Sequence, residues 1–411
     1  MATVRDRPYD TRCAVPCVYR RGGPGGRPDW KDSKGFMSTD QVKQRKLEHV
    51  RMALEQDIAV PQRANWSDVH LIHQALPEVD LDAIDTTIDF LGHRLRYPIF
   101  VSSLTGGHPD VVTINRNLAR AAEEYGLALG VGSQRAAIVN PQVAESFTIA
   151  REQAPSAFLL ANIGAPQLIS QGSHPPFTLE QVQTAIDMIG ANALAVHLNT
   201  LQEAVQAEGD RCTVGEVAAL QQLIQEIGVP VIAKETGAGI CREQALLLRA
   251  CGVAAIDVGG AGGSSMPALE MLRSRARGNE RSLDIGRVYK DWGIATPISL
   301  VEAGTACKPL IATGGVRSGR DIARALALGA TIVGMGFPFL QAASQSYEAV
   351  CEFLERTIAE LKVAMLLCGA ASIIQMRKVD VVVMGETREW LYLRGFEDEL
   401  KCMARRHLKE Q

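Results

Sequence analysis

Ala193-Leu194-Ala195-Val196-His197-Leu198-Asn199 is an apolar run that ends in polar side chains, and Thr200-Leu201-Gln202-Glu203 follows it directly. Read as a strand, residues 193–199 alternate between two faces, so His197 and Asn199 point the same way and Gln202 and Glu203 stand just past the end. The polar cluster is then aimed at a ligand. A histidine beside an apolar run is as readily a satisfied core residue, so the reading rests on what surrounds it.

Seven further runs of this kind, at 98–105, 127–132, 158–164, 229–235, 254–260, 309–315 and 331–336, are bounded by Gly, Asn or Ser. Between them, 112–125, 178–189, 214–226, 241–250 and 318–328 carry helical apolar spacing. Eight almost wholly apolar strands alternating with helices predict a closed parallel (β/α)8 barrel of the TIM type. An open doubly wound α/β sheet is the competing architecture, but no Gly-rich dinucleotide turn follows the first strand. The stretch 260–308, between the sixth and seventh strands, is read as a lid-like insert.

The flanks divide the chain further. Residues 1–36, with Arg20-Arg21-Gly22-Gly23-Pro24-Gly25-Gly26-Arg27-Pro28 at their heart, bury too little apolar surface to offset ordering entropy and are read as a disordered extension. Ser38 or Thr39 can cap a helix bearing Arg45, Lys46, Glu48 and His49, in which Arg45 and His49 share a face. Residues 37–97 form that helix and a connector with a hairpin at Leu91-Gly92-His93, 98–370 the barrel, and 371–411 a tail laid on it.

Composition excludes several classes. With 43 basic against 46 acidic residues, nothing asks for nucleic acid or an anionic membrane. No apolar run approaches the roughly 20 residues of a membrane span, and no signal segment follows the N-terminal arginines. The nine cysteines are scattered as in a reducing compartment, so a cytoplasmic protein with a small-molecule partner is expected.

Barrels of this type do chemistry at the C-terminal ends of their strands, and those ends here are polar or glycine-rich. Thr313-Gly314-Gly315 and Gly334-Met335-Gly336 follow the seventh and eighth strands, where backbone N–H groups often bind phosphate, and Gly260-Ala261-Gly262-Gly263-Ser264-Ser265 can add amides and a hydroxyl. Turn geometry alone accounts for some of these glycines. Lys234, inward at the end of the fifth strand, is either a Schiff-base nucleophile or a cation beside an anionic ring, and a phosphate with such a ring suggests flavin mononucleotide (FMN). Arg45, Lys46 and Arg135 are left to neutralise a second anion such as a diphosphate, with Glu203 holding Mg²⁺ against it.

Arg45-Lys46-Leu47-Glu48-His49, Thr105-Gly106-Gly107, Gly132-Ser133-Gln134-Arg135, His197-Leu198-Asn199 with Gln202-Glu203, Gly209-Asp210-Arg211, Lys234-Glu235 and Asp257 with Gly262-Gly263 together resemble the type 2 isopentenyl-diphosphate isomerases, from about Ser38 to Leu391. The resemblance implies an isomerase that interconverts isopentenyl and dimethylallyl diphosphate for isoprenoid biosynthesis, using reduced FMN, NADPH as reductant and Mg²⁺, and assembling as a homotetramer or homo-octamer. It puts Gln202, His197 and Asn199 at the reacting alkene. Arg45, Lys46, His49, Ser133, Gln134 and Arg135 would bind the substrate with Gln202, and Glu203 would ligate the metal. Ser103, Leu104, Thr105, Ser133, Asn162, Lys234, Ser264, Gly314, Gly315, Met335 and Gly336 would hold FMN. Leu104, Gly259 and Ser264-Ser265-Met266 depart from the family's usual residues, which implies altered flavin affinity. Two other readings are an FMN-dependent 2-hydroxy-acid oxidoreductase and a non-catalytic FMN-binding protein. The first wants a histidine near the ends of the sixth and seventh strands, where this chain has Asp257 and Arg317, and the second leaves the full set of polar residues without a purpose.

Overall fold

A computed structural model describes residues 48, 50–56, 58–60, 62 and 65–407. The extension 1–36 and the side chains of Arg45, Lys46 and His49 lie outside the described residues.

Eight parallel strands close into a barrel: β1 (Ile99–Val101), β2 (Ala128–Gly130), β3 (Phe158–Gly164), β4 (Ala193–Leu198), β5 (Val231–Glu235), β6 (Ala255–Asp257), β7 (Leu310–Thr313) and β8 (Ile332–Met335). β8 pairs with β1 through Val333↔Ile99, so no strand edge is exposed. The expected closed barrel is therefore present and the open sheet is not. The strands are buried on both faces because helices cover the outside and side chains fill the inside. Leu160, Leu194 and Ile232 are at most 1% exposed, and each such burial contributes about 1.5–3 kcal/mol.

The helical periods also appear: Val112–Tyr125, Leu179–Ile189, Glu216–Glu226, Arg242–Cys251 and Gly319–Ala327. Thr178 caps the second of these through a capping box with Gln181, and Gly190, at φ 53°, ends it. Between β6 and β7 the chain makes three helices, Met266–Ala276, Glu280–Tyr289 and Thr296–Gly304. The last occupies the ordinary place of the helix preceding β7, so the additional structure is shorter than the whole of 260–308.

Outside the barrel, Ile88–Phe90 and His93–Leu95 form the expected hairpin. Leu91 and Gly92 both take positive φ, 47° and 83°, as a tight two-residue hairpin turn requires. Val69–Leu71 pairs antiparallel with Val381–Val383, a contact that periodicity did not anticipate. Asp68 secures it by accepting hydrogen bonds from the Thr387 amide and hydroxyl. Farther along the tail, Trp390 and Arg394 both donate to the buried carboxylate of Glu302.

Candidate active site

A cavity of about 260 Å³ lies at the C-terminal ends of the strands, the scale of a small-molecule site. Ser103, Leu104, Thr105, Ser133, Arg135, Asn162, His197, Asn199, Gln202, Glu203, Lys234 and Ser264 all line it. Parallel register explains part of this convergence, since Gly164 pairs with His197, His197 with Lys234, and Lys234 with Asp257 on successive strands.

His197 Nδ1 lies 2.8 Å from Asn162 Oδ1. Asn162 Nδ2 already donates to the Val131 carbonyl at 3.0 Å, so the amide presents its oxygen to the ring and His197 donates from Nδ1. Gln202 and Glu203 sit in the helix Thr200–Val205 that follows β4 at once. Gln202 Nε2 donates to Glu270 Oε1 at 3.3 Å, and Glu270 is bound by Arg273 on its own helix. Arg273, 2% exposed, also pairs with Glu208 at 2.8 Å and with Glu48 at 3.4 Å. An ionic cluster thus joins the helix over the cavity, the segment after β4 and the N-terminal segment.

Arg135 makes an ion pair with Asp210 at 2.7 Å. Glu203 Oε1 accepts from Asn199 Nδ2 and Oε2 from the Asp210 amide, both at 2.8 Å. Among the described residues no group of three His, Cys, Asp or Glu side chains converges as a metal cage. A single carboxylate with both oxygens already hydrogen-bonded fits a hard cation that arrives with phosphate oxygens better than a resident ion.

Gln134, expected from the sequence to bind substrate, stands apart from the cavity lining. Its side chain is wholly buried, donating to the Ala185 carbonyl at 2.7 Å and accepting from the Asn162 amide at 2.9 Å, and it does not line the cavity. It braces β3, because residue 134 precedes the helix Arg135–Val139 and turns toward the barrel wall while Arg135 turns to the cavity. Gly314, Gly315, Met335 and Gly336 are not among the residues that line the cavity, although Gly336 lies against Leu104, which is one of them. A Cβ on Gly314 would lie 2.2 Å from the Gly260 carbonyl oxygen, and one on Gly336 would lie 3.0 Å from Leu104.

The residues suit FMN on the structure's own terms. The buried hydroxyl of Ser103, which lines the cavity, has no hydrogen-bond partner among the described residues, an arrangement that a polar ligand would satisfy. Lys234 directs a buried ammonium into the same space. Sequence reasoning missed Gln167, Gln206, Thr236 and the apolar wall of Val50, Ala53, Ile58, Met266, Leu269, Phe337 and Leu340, which carry no chemical signature in a linear pattern. It also gave Glu270 no role. Glu235 points to the loop beyond β5, where its carboxylate accepts the amides of Gly237, Ala238 and Gly239. Burial pushes its carboxyl up to about 7 against those amides and Lys234.

The fold and cavity define a flavin-binding α/β barrel, and residues 148–382 match the FMN-dependent dehydrogenase family. Solved structures with the same fold include a mandelate oxidase carrying an FMN adduct, 19% identical over 84% of this chain and 99% of the other, with a TM-score of 0.54. The lactate oxidase of Pediococcus acidilactici is 15% identical over 82% and 86%, with a TM-score of 0.55. At those identities the likeness is one of fold. In sequence, the isopentenyl-diphosphate delta-isomerase of Methanosarcina barkeri is 47% identical over 86% of this chain and 95% of its own length. That of Methanothermobacter thermautotrophicus is 44% identical over 89% and 99%. The chain belongs to the isopentenyl-diphosphate delta-isomerase family. The stretch from Ala255 to Phe337 contains no histidine, so the base wanted by a 2-hydroxy-acid oxidoreductase at the ends of β6 and β7 is missing.

Proposed function

We propose that this chain interconverts isopentenyl and dimethylallyl diphosphate, adding a proton at one alkene carbon and removing one at another, with FMN in its reduced state, NADPH as reductant and Mg²⁺ on the diphosphate. The observation that carries the reading is the grouping of His197, Asn199, Gln202, Glu203, Arg135 and Lys234 around one cavity in a chain 47% identical to a named isomerase. FMN supplies acid–base chemistry at its N5 when bound.

The chain's own groups position and shield. Gln202, steadied by Glu270, presents its amide to the alkene, and His197 and Asn199 shape the pocket beside it. Met266, Leu269, Val50 and Ala53 form an apolar wall that keeps water from a developing tertiary cation. Arg135 and Ser133, together with Arg45, Lys46 and His49, grip the diphosphate. Glu203 would hold Mg²⁺ through its carboxylate, and the ion would supply charge neutralisation on the diphosphate. Ser103, Leu104, Thr105, Asn162, Lys234 and Ser264 contact FMN, while Gly314, Gly315, Met335 and Gly336 shape the phosphate end. Among the described residues no helix is long and apolar enough to cross a membrane; the reading places the protein in the cytoplasm as a homotetramer or homo-octamer acting in isoprenoid biosynthesis.

The test is anaerobic incubation with FMN, NADPH, Mg²⁺ and isopentenyl diphosphate, each omitted in turn. Dimethylallyl diphosphate should form only when flavin is reduced and Mg²⁺ is present, without continuing NADPH consumption. Turnover of lactate or glycolate with flavin reduction, and no isomer, would overturn the proposal in favour of an oxidoreductase.

A further inference from the structure

Lys234 does not enter the cavity as a lone cation. Its Nζ donates to the Glu235 carbonyl at 2.9 Å and lies 3.5 Å from Asp257 Oδ2. Asp257 is fully buried, and β5 and β6 set the two residues side by side in register. Oδ1 of Asp257 accepts the Gly259 amide at 3.3 Å, whereas Oδ2 has no hydrogen-bond partner among the described residues and faces the ammonium. Ile311, its register partner on β7, offers nothing polar. A buried carboxylate is costly unless a cation or donors offset it, so its position beside Lys234 calls for a reason other than stability.

We infer that Asp257 is a charge-setting residue: it balances Lys234 so that the floor of the cavity presents an ion pair, not a net cation, to the flavin ring. It rests on the proposed function for the presence of FMN and adds a residue that does not line the cavity. The sign follows from Coulomb's law. An uncompensated ammonium stabilises electron density added to a neighbouring ring, and the low dielectric of a buried site magnifies that effect. A carboxylate 3.5 Å from Nζ cancels much of it. The reduced ring is then less stabilised, which is equivalent to a lower midpoint potential and a more electron-rich, more basic ring. Isomerisation would benefit from that property, because the reduced ring would supply acid–base chemistry in a reaction with no net transfer of electrons.

The measurement is a spectroelectrochemical titration of the FMN-loaded full chain. Asp257→Asn, which preserves shape and removes charge, should raise the two-electron midpoint potential by at least about 30 mV, a tenfold change in the equilibrium between oxidised and reduced flavin. Its kcat for isomerisation should fall while flavin stays bound. Lys234→Gln should lower the potential. If Asp257→Asn does not accumulate as folded protein, the charge is isolated by comparing Lys234→Gln with Lys234→Gln/Asp257→Asn, of which the double variant must have the higher potential. Bound flavin with an unchanged or lowered potential on loss of the Asp257 charge overturns this assignment alone. Wild-type protein that takes up no FMN overturns it together with the proposed function.

Discussion

Replacing Arg273 by leucine removes the centre of the ionic cluster over the cavity, and the structure sets the size of the effect. Arg273 and Glu270 are each 2% exposed, so the substitution strands a buried carboxylate without its guanidinium, a loss of about 3–5 kcal/mol. The neighbouring pair of Arg277 and Glu48, with Arg277 44% exposed at its side chain, adds only about 0–1 kcal/mol and cannot compensate. Urea unfolding at neutral pH should show the deficit. Arg273→Leu/Glu270→Leu should recover most of it, because a buried pair replaced whole by apolar side chains costs little. Acid provides a second check through Glu208. Burial raises its carboxyl and the Arg273 guanidinium lowers it, leaving it on balance below its ordinary value of 4.5. A depressed folded value means stability that is present above the ordinary value and lost as pH falls below it. Wild type and Arg273→Leu should therefore draw together in acid. A variant within about 1 kcal/mol of wild type at neutral pH would refute the reasoning, since buried-pair loss is not that small.

Glu235→Gln keeps an acceptor for the loop amides but cannot titrate. Because burial raises the wild-type carboxyl to about 7, its contribution is fully present below the unfolded value near 4.5 and is lost as pH rises toward 7; the variant should lack this loss, on the order of a few kcal/mol, when unfolding is compared at pH 5 and pH 7.5. Gly132→Ala would place a Cβ 2.6 Å from the Thr105 carbonyl; thermal and urea unfolding should show about 1–3 kcal/mol of destabilisation, with weaker FMN retention on gel filtration. Arg135→Gln should raise the KM for isopentenyl diphosphate about tenfold or more while flavin occupancy, read by absorbance, is unchanged. An unaltered KM would remove Arg135 from the diphosphate site.

The barrel was legible because fully buried parallel strands leave a plain mark, an apolar run ended by Gly, Asn or Ser, and β3 at Phe158–Gly164 has the bounds that run predicts. Pairings between distant segments leave none: Val69–Leu71 and Val381–Val383 are short, and only the folded chain brings them together. In the site, His197 and Lys234 were legible from strand parity, since alternation puts both on the inward face. The inward burial of the Gln134 side chain was not legible, because its neighbours Ser133 and Arg135 both line the cavity and one step along a turn reverses a side chain's direction. Glu270 was hidden for another reason: it meets Gln202 across 68 residues, and a charged residue on an amphipathic helix reads as solvated surface. Gly259, noted as a departure, takes φ 45°, and a Cβ there would meet the Glu235 carbonyl at 2.0 Å. This backbone accepts glycine alone, so the substitution and the local geometry go together.

The antiparallel pair between Val69–Leu71 and Val381–Val383 bears on how the protein is made. On the ribosome the first segment emerges about 310 residues before its partner, so in the interval Val69–Leu71 waits with its hydrogen-bonding edge unmatched. The barrel can assemble as its strands appear, but this clasp closes only after residues 381–383, which follow the last barrel strand, have been made. Truncation before residue 381 should accordingly leave a formed barrel with an adhesive strand at its side, a species for chaperones to shelter and a template for self-association.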